Sequence, residues 1–209
     1  MRLSVVGTPI GGEDAREAAW VKRIHAAAAG AAPCAAVSLS FTLAAGRTVD
    51  VDNLARPAMT ALQRAGVFQR GFRALERLVA TKHTGQPEGL LVALDPPDAP
   101  LPAPPELTCT FATLPPSEAP QAWMRAATDR VRAQWPYEPV TGDVFADIRV
   151  TSTSTRSLVG LLKPALDILC PYLGAGTGPL AFTPRDEQVV WLQIRRVHQP
   201  DTLCITLGR

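Results

Sequence analysis

The sequence lacks the patterns that mark several common classes of protein. Its four cysteines lie far apart, none forms a C-x-x-C pair, and no histidine lies at the spacing of a zinc knuckle. This pattern predicts small buried thiols in a reducing compartment rather than zinc ligands or disulfides. No apolar run reaches the roughly 18 residues of a membrane span. Gly7, Pro9, Gly11 and Gly12 interrupt the layout of a signal peptide. We therefore expect a soluble, cytoplasmic protein with no membrane partner.

A strong excess of charge is also missing. The net charge of +2 is too small to indicate a nucleic-acid partner by itself. Hydrophobic residues make up 46% of the 209 residues, so the chain can bury a sizeable core. This length suits one large domain or two small ones.

Proline is abundant in one place, near the midpoint of the chain. Residues 95–105 read DPPDAPLPAPP. Such a run can neither pair in a central strand nor continue a helix, so it predicts a semi-rigid, extended linker. The flanking segments, residues 1–94 and 106–209, are the two predicted units.

The two units show the same order of predicted elements. Each begins with a strand, continues with a helix that contains a tryptophan, and ends in a strand. The predicted strands span 3–9, 36–43 and 89–94 in the first unit and 107–113, 144–151 and 202–207 in the second; the helices span 13–29 and 117–134. This agreement predicts an α+β protein made of two similar units in tandem, an internal duplication that forms an intramolecular pseudo-dimer. Chance similarity of two α+β segments is the alternative.

Two carboxylates on alternate residues follow the second strand of the first unit. Asp50 and Asp52 point the same way if the segment is extended, because side chains there alternate with period two. Neighbouring carboxylates repel each other, so a cation is expected between them. Mg²⁺ takes oxygen ligands, usually one or two carboxylates together with water and phosphate. The pair therefore predicts a magnesium site.

The residues after this pair suit the start of a helix. Asn53 is expected to cap the helix, and Pro57 to lie in its first turn, where a missing N–H does little harm. Arg56 is expected to reach a phosphate near the metal. The Asp-x-Asp-Asn pattern also begins calcium loops, but the glycine and the later glutamate of those loops are missing. Ordinary turn and cap positions for both aspartates are a further alternative.

A damaged copy of this stretch occurs in the second unit. It keeps the cation and the proline, as Lys163 and Pro164, but carries Ser157 and Val159 where the acids stand. Valine cannot bind Mg²⁺, so we expect at most one metal site in the chain.

Together the two stretches resemble the RusA family of Holliday-junction resolvases. In that family the motif reads roughly D-x-D-N-L-L-K-P-x-L-D-A-L, followed by D-D-x-Q-V-x-x-L. The first unit has D-V-D-N-L-A-R-P; the second has L-L-K-P-A-L-D-I-L, followed by R-D-E-Q-V-V-W-L at residues 185–192. The opening strand and the helix with Trp20 also look like the family.

The resemblance implies a Mg²⁺-dependent endonuclease that binds branched or duplex DNA. The family's metal site uses both aspartates of D-x-D-N, an acid from the later segment and an assisting lysine. Carried onto the first unit, the acids are Asp50, Asp52 and Glu76, and Arg56 stands at the lysine position. Glu76 is a loose match, because the spacing is shortened and the glutamine position holds Leu78. Arg56 keeps the charge that holds a phosphate but cannot readily lose a proton.

In the second unit, Lys163 and Asp186 match the family. With Ser157 and Val159 they form the expected degenerate second site. The cations expected at DNA phosphates are Lys22, Arg23, Arg56 and Lys163. A solvated helix face is the alternative for Lys22 and Arg23.

Two functions stay open on the sequence alone. The first is a structure-selective DNA endonuclease of recombination and repair with a single metal site, which would nick once unless two chains assemble. The second is a catalytically inactive RusA-like scaffold that binds branched DNA or a protein partner. The intact Asp-x-Asp-Asn favours the first function. The small net charge, Arg56 in place of lysine and the lost second site favour the second.

Overall fold

The computed structural model describes residues 1–12, 14–116, 120–152, 156–176, 183–198 and 201–209. The strands are β1 (Arg2–Val6), β2 (Ala36–Leu43), β3 (Gln69–Phe72), β4 (Arg77–Thr84), β5 (Gly89–Leu94), β6 (Pro105–Phe111), β7 (Val144–Thr151), β8 (Val189–Val197) and β9 (Thr202–Gly208). The helices are α1 (Glu17–Ala27), α2 (Val51–Arg64), α3 (Pro120–Gln134), α4 (Leu158–Asp167) and α5 (Cys170–Leu173), and a 3-10 turn (Asp186–Gln188) precedes β8. Positions 13 and 117, the expected first residues of the two tryptophan-bearing helices, lie outside the described residues.

Within the described ranges, eight strands form one mixed sheet in the order β1-β5-β2-β4-β8-β7-β9-β6. From either edge inward, the first two pairs are antiparallel and the third is parallel. An antiparallel pair, β4 with β8, joins the two halves at the centre. The predicted α+β class is confirmed, and the sheet runs without a break across both predicted units.

One face of the sheet is apolar from edge to edge. Alternate residues of each strand are buried, and the register aligns them, as in Leu39 beside Ala80 and Ala80 beside Leu192. Helix α1 packs on α2, while α2 and α4 pack on the central strands and α3 packs on β6. Burial of this face supplies the main favourable term in folding. No helix among the described residues is long and apolar enough to cross a bilayer.

The proline-rich linker crosses the opposite face of the sheet. Asp98 pairs with Arg77 of β4 at 2.8 Å and with Arg195 of β8 at 3.1 Å, and the Gln193 side chain donates to the Ala99 carbonyl. The linker must pass from the second strand of the sheet to the eighth, six spacings of about 4.8 Å or roughly 29 Å. Ten residues separate β5 from β6, and when extended they reach about 31 Å. The prolines therefore favour the extended backbone that this distance requires.

Shortening this linker is expected to detach the last strand. Deleting residues 100–102 lowers its reach to about 22 Å, less than the roughly 29 Å required. We expect β6 to lose its pairing with β9, so proteolysis within residues 95–111 should become rapid. Substituting the same three residues by alanine keeps the length and is the matched control. A deletion variant as resistant to proteolysis as the control would contradict this account of the linker.

Candidate metal centre

Three carboxylates from two distant parts of the chain meet beside the central strands. One carboxylate oxygen from each of Asp50, Asp52 and Asp186 lies within 4.8 Å of the other two. Among the described residues, this is the one group of three or more acidic, histidine or cysteine side chains that could hold a metal ion. Asp50 and Asp52 come from the first half of the chain and Asp186 from the second.

Helix α2 begins earlier than the sequence predicts, and this places both of its aspartates. Asp50 is the N-cap residue, with extended backbone angles, and Asp52 lies in the first turn. The prediction that both lie in an extended segment is therefore wrong. The N-cap expected of Asn53 is also wrong: its amide donates to the Asp50 carboxylate at 2.7 Å. The two carboxylates converge because a cap residue and the residue two positions later both lie at the helix N-terminus.

Pro57 lies inside α2 rather than in its first turn, which corrects a second expectation. A proline there cannot donate to the carbonyl four residues earlier, which belongs to Asn53. The Gly12 N–H donates to that Asn53 carbonyl instead, at 3.2 Å. The loop after β1 therefore compensates for the missing bond and packs against the start of α2.

Asp186 is held by its own half of the protein. It is the first residue of the 3-10 turn, and the buried Gln188 side chain anchors this turn by donating to the Leu173 carbonyl at 2.8 Å. The Lys163 ammonium of α4 donates to the Asp186 carboxylate at 2.9 Å and lies 3.1 Å from Asp167. The pairing of β4 with β8 then brings this turn to the start of α2.

The cluster concentrates negative charge in a poorly hydrated place. Asp52 is only 4% exposed, and its Oδ1 has no hydrogen-bond partner. Burial, followed by the charge of Asp186, raises the pKa of Asp52 to about 6. Burial and Asp186 also raise the pKa of Asp50, although Lys82 and Asn53 oppose this shift. An added cation would relieve both effects, which is what a metal-binding cluster requires.

The spacing of the three carboxylates suits a hard divalent cation. Ligand oxygens about 2.1 Å from Mg²⁺ in an octahedral site lie about 3–4 Å apart. The three carboxylate oxygens lie within 4.8 Å of one another, which fits direct binding by one or two carboxylates with the third close by. Mg²⁺ usually keeps several of its waters in such sites.

The structure places two predicted site residues away from the cluster. Glu76 lies 3.3 Å from His198 and 3.7 Å from Arg196, and Asp186 takes the position that the sequence assigned to Glu76. The sequence pattern assigns all three acids to one unit. It therefore cannot show that the third acid of the cluster comes from the other half of the chain. Arg56 is exposed on α2, and among the described residues no acid pairs with it. It remains available to a phosphate but is not bonded to the cluster.

The predicted degenerate site is divided between two places. Ser157 is the N-cap of α4, where its Oγ accepts the Gly160 N–H at 3.3 Å, and Val159 packs against the core. Lys163 and Asp186, which the sequence grouped with them, lie instead at the carboxylate cluster.

The two other expected DNA contacts lie on α1. Lys22 and Arg23 are both exposed. Arg23 donates to the Val6 carbonyl at 3.3 Å and its guanidinium lies 5.2 Å from the Trp20 ring. Part of its bonding capacity is therefore used within the protein, while Lys22 faces solvent.

Sequence reasoning missed one residue of the site altogether. Lys82 lies on the apolar face of β4, and its ammonium donates to the Val49 carbonyl at 2.7 Å and to the Glu187 carbonyl at 2.5 Å. Strand alternation could have identified it. Lys82 follows Leu78 and Ala80 at period two in β4, so its side chain is expected on the face that packs against the helices. Burial lowers the pKa of Lys82, and the charge of Asp50 opposes this shift.

Comparison with known proteins finds no family model that matches the chain and no curated protein that matches it.

Proposed function

We propose that this protein is a Mg²⁺-dependent DNA endonuclease with one metal site, shared between the two halves of an intramolecular pseudo-dimer. The observation that carries the proposal is the cluster of Asp50, Asp52 and Asp186, with the Lys163 ammonium bonded to it. These are the residue types that the RusA-like motifs supply, now contributed by both halves.

The order of pairs in the sheet supports the pseudo-dimer. Each half presents an antiparallel, an antiparallel and a parallel pair, counted from its own edge. Asp50 and Ser157 are both N-cap residues, and Pro57 and Pro164 are both the seventh residues of their helices. Two copies of one unit, related by a pseudo-two-fold axis between β4 and β8, account for all of these correspondences.

Comparison of the two halves also explains why only one metal site is proposed. Asp186 stands three residues before β8, and the residue three before β4 is Ala74. The place that the pseudo-two-fold axis relates to the cluster would therefore combine Ala74 with Ser157 and Val159. It would contain none of the three carboxylates. Its cation is Arg56, which stands in α2 where Lys163 stands in α4.

The proposed reaction is hydrolysis of a phosphodiester bond. When bound, Mg²⁺ supplies Lewis acidity and an activated water. Asp50, Asp52 and Asp186 would hold the ion, one or two of them directly and the third close by, and Asn53 orients Asp50 through its 2.7 Å hydrogen bond. Lys163 orients Asp186 and adds positive charge where a phosphate would approach.

One site per chain limits the outcome on a four-way junction. Resolution of a junction requires two opposed cuts, so a single chain is expected to make one nick. Two chains on one junction would be needed for complete resolution. We therefore expect the nicked product to accumulate first.

The test compares a labelled four-way junction with a linear duplex, in Mg²⁺ and in chelator. We expect metal-dependent cutting of the junction and its loss in Asp50→Asn, an isosteric change at a half-buried position. Glu76→Gln, which alters an acid outside the cluster, is the matched control. Binding of the junction without cutting in Mg²⁺ or Mn²⁺ would contradict the nuclease proposal.

That contrary result would support a second function, a scaffold that binds branched DNA without cutting it. The absence of carboxylates at Ser157 and Val159 favours this alternative, because one half has already lost the residues that bind metal. Equal affinity for junction and duplex would contradict both functions.

A further inference from the structure

Lys82 connects the two segments that carry the metal ligands. One of its bonds reaches the carbonyl of Val49, which immediately precedes Asp50. The other reaches the carbonyl of Glu187, which immediately follows Asp186. The side chain thus joins the first half of the cluster to the second through backbone atoms.

The placement of Lys82 makes this connection rigid. It follows Leu78 and Ala80 on the apolar face of β4, a central strand paired with β2 on one side and β8 on the other. A partly buried ammonium requires hydrogen-bond acceptors, and two of its three donors are satisfied by these carbonyls. Two acidic segments that repel each other are therefore tied to a common point in the middle of the sheet.

We propose that Lys82 is a positioning residue that fixes the distance between Asp50 and Asp186 and so keeps the shared metal site assembled. This inference rests on the proposed function for the identity of the ligand, but the tie between the two segments is a property of the chain itself. The Lys82 ammonium donates to the backbone carbonyls of Val49 and Glu187 rather than to either carboxylate, so it acts through these two residues.

Two roles for this cation predict opposite effects on metal affinity. If Lys82 acted only through its charge, its removal would relieve repulsion of the metal and tighten binding. If it acts as a tie, its removal lets the two acidic segments separate and weakens binding. Loss of a residue that orients metal ligands typically costs about 10- to 100-fold in affinity.

The experiment measures Mn²⁺ affinity by calorimetry for wild type, Lys82→Met and Lys82→Gln. We expect about 10- to 100-fold weaker binding in Lys82→Met. Lys82→Gln should fall between it and wild type, because the amide keeps two donors without the charge. Val79→Ala, on the opposite face of the same strand, controls for a general loss of stability and should leave the affinity unchanged. Unchanged or tighter binding in Lys82→Met would overturn the proposal.

Hydrogen exchange of the metal-free proteins gives a second readout that does not depend on the proposed function. Peptides covering residues 49–53 and 185–189 should exchange faster in Lys82→Met and Lys82→Gln than in wild type and Val79→Ala. Should Lys82→Met fail to fold, Lys82→Gln supplies the comparison. If wild type binds no metal, the proposed function fails while the exchange data still test the tie. Equal exchange in all four proteins would overturn the tie even if wild type is a nuclease.

Discussion

Asp186→Asn is expected to abolish metal-dependent DNA cleavage, although Asp186 lies 134 residues beyond Asp52 in the sequence. Its carboxylate completes the cluster with Asp50 and Asp52, and the substitution removes one ligand charge without changing side-chain volume. Loss of several kcal/mol of transition-state stabilisation corresponds to a fall in rate on the order of 10²- to 10³-fold. Single-turnover cleavage of a labelled junction at saturating protein measures the effect directly.

Two controls separate this effect from a change in folding or in DNA affinity. Glu76→Gln removes the acid that linear alignment favours, and it should retain cleavage within a few-fold of wild type, since Glu76 pairs with Arg196 and His198. Junction affinity of Asp186→Asn, measured in chelator, should match wild type. The reverse pattern, a loss of cleavage in Glu76→Gln and full activity in Asp186→Asn, would assign the site to the first unit alone.

Asp52→Asn is expected to stabilise the metal-free protein while it prevents metal binding. The pKa of Asp52 is raised to about 6 in the folded state, chiefly by burial. A raised folded-state pKa means that the protonated acid contributes stability at low pH, and that this contribution is lost as pH rises through about 4 to 6. Between pH 4 and pH 8 the variant should therefore gain roughly 1–3 kcal/mol in free energy of unfolding relative to wild type.

Urea unfolding in chelator at pH 4, 6 and 8 checks the sign of this change. The two proteins should differ least at pH 4 and most at pH 8. Added Mg²⁺ at ten times its dissociation constant should then stabilise wild type by about 1.4 kcal/mol and leave Asp52→Asn unchanged. A variant that is less stable than wild type at pH 8 would show that Asp52 serves the fold rather than a ligand.

The order of elements was largely predictable from the sequence, but the arrangement of the site was not. Strand alternation and the proline-rich run identify the repeated order, because these are local properties of the chain. The start of α2 was misplaced, since Asp50 and Asn53 both suit an N-cap and only the Gly12 contact shows how Pro57 is accommodated within the helix. The motif pointed to Asp50 and Asp52, which both lie in the carboxylate cluster.

The third acid was assigned to Glu76 because the sequence cannot show which acids the fold brings together. That choice depends on the antiparallel pairing of β4 with β8, a contact between strands more than 100 residues apart. Asp186 and Lys163 were recognised as matches to the RusA-like pattern but were grouped with the lost acids of their own half. Lys82 matched no motif, and only its period-two position on β4 distinguished it from a surface lysine.

The central claim is that two halves of one chain build a single metal site, and titration calorimetry with Mn²⁺ tests it most directly. The account predicts one ion per wild-type chain and no measurable binding for either Asp50→Asn or Asp186→Asn. Two ions per chain, or unchanged binding in Asp186→Asn, would contradict it.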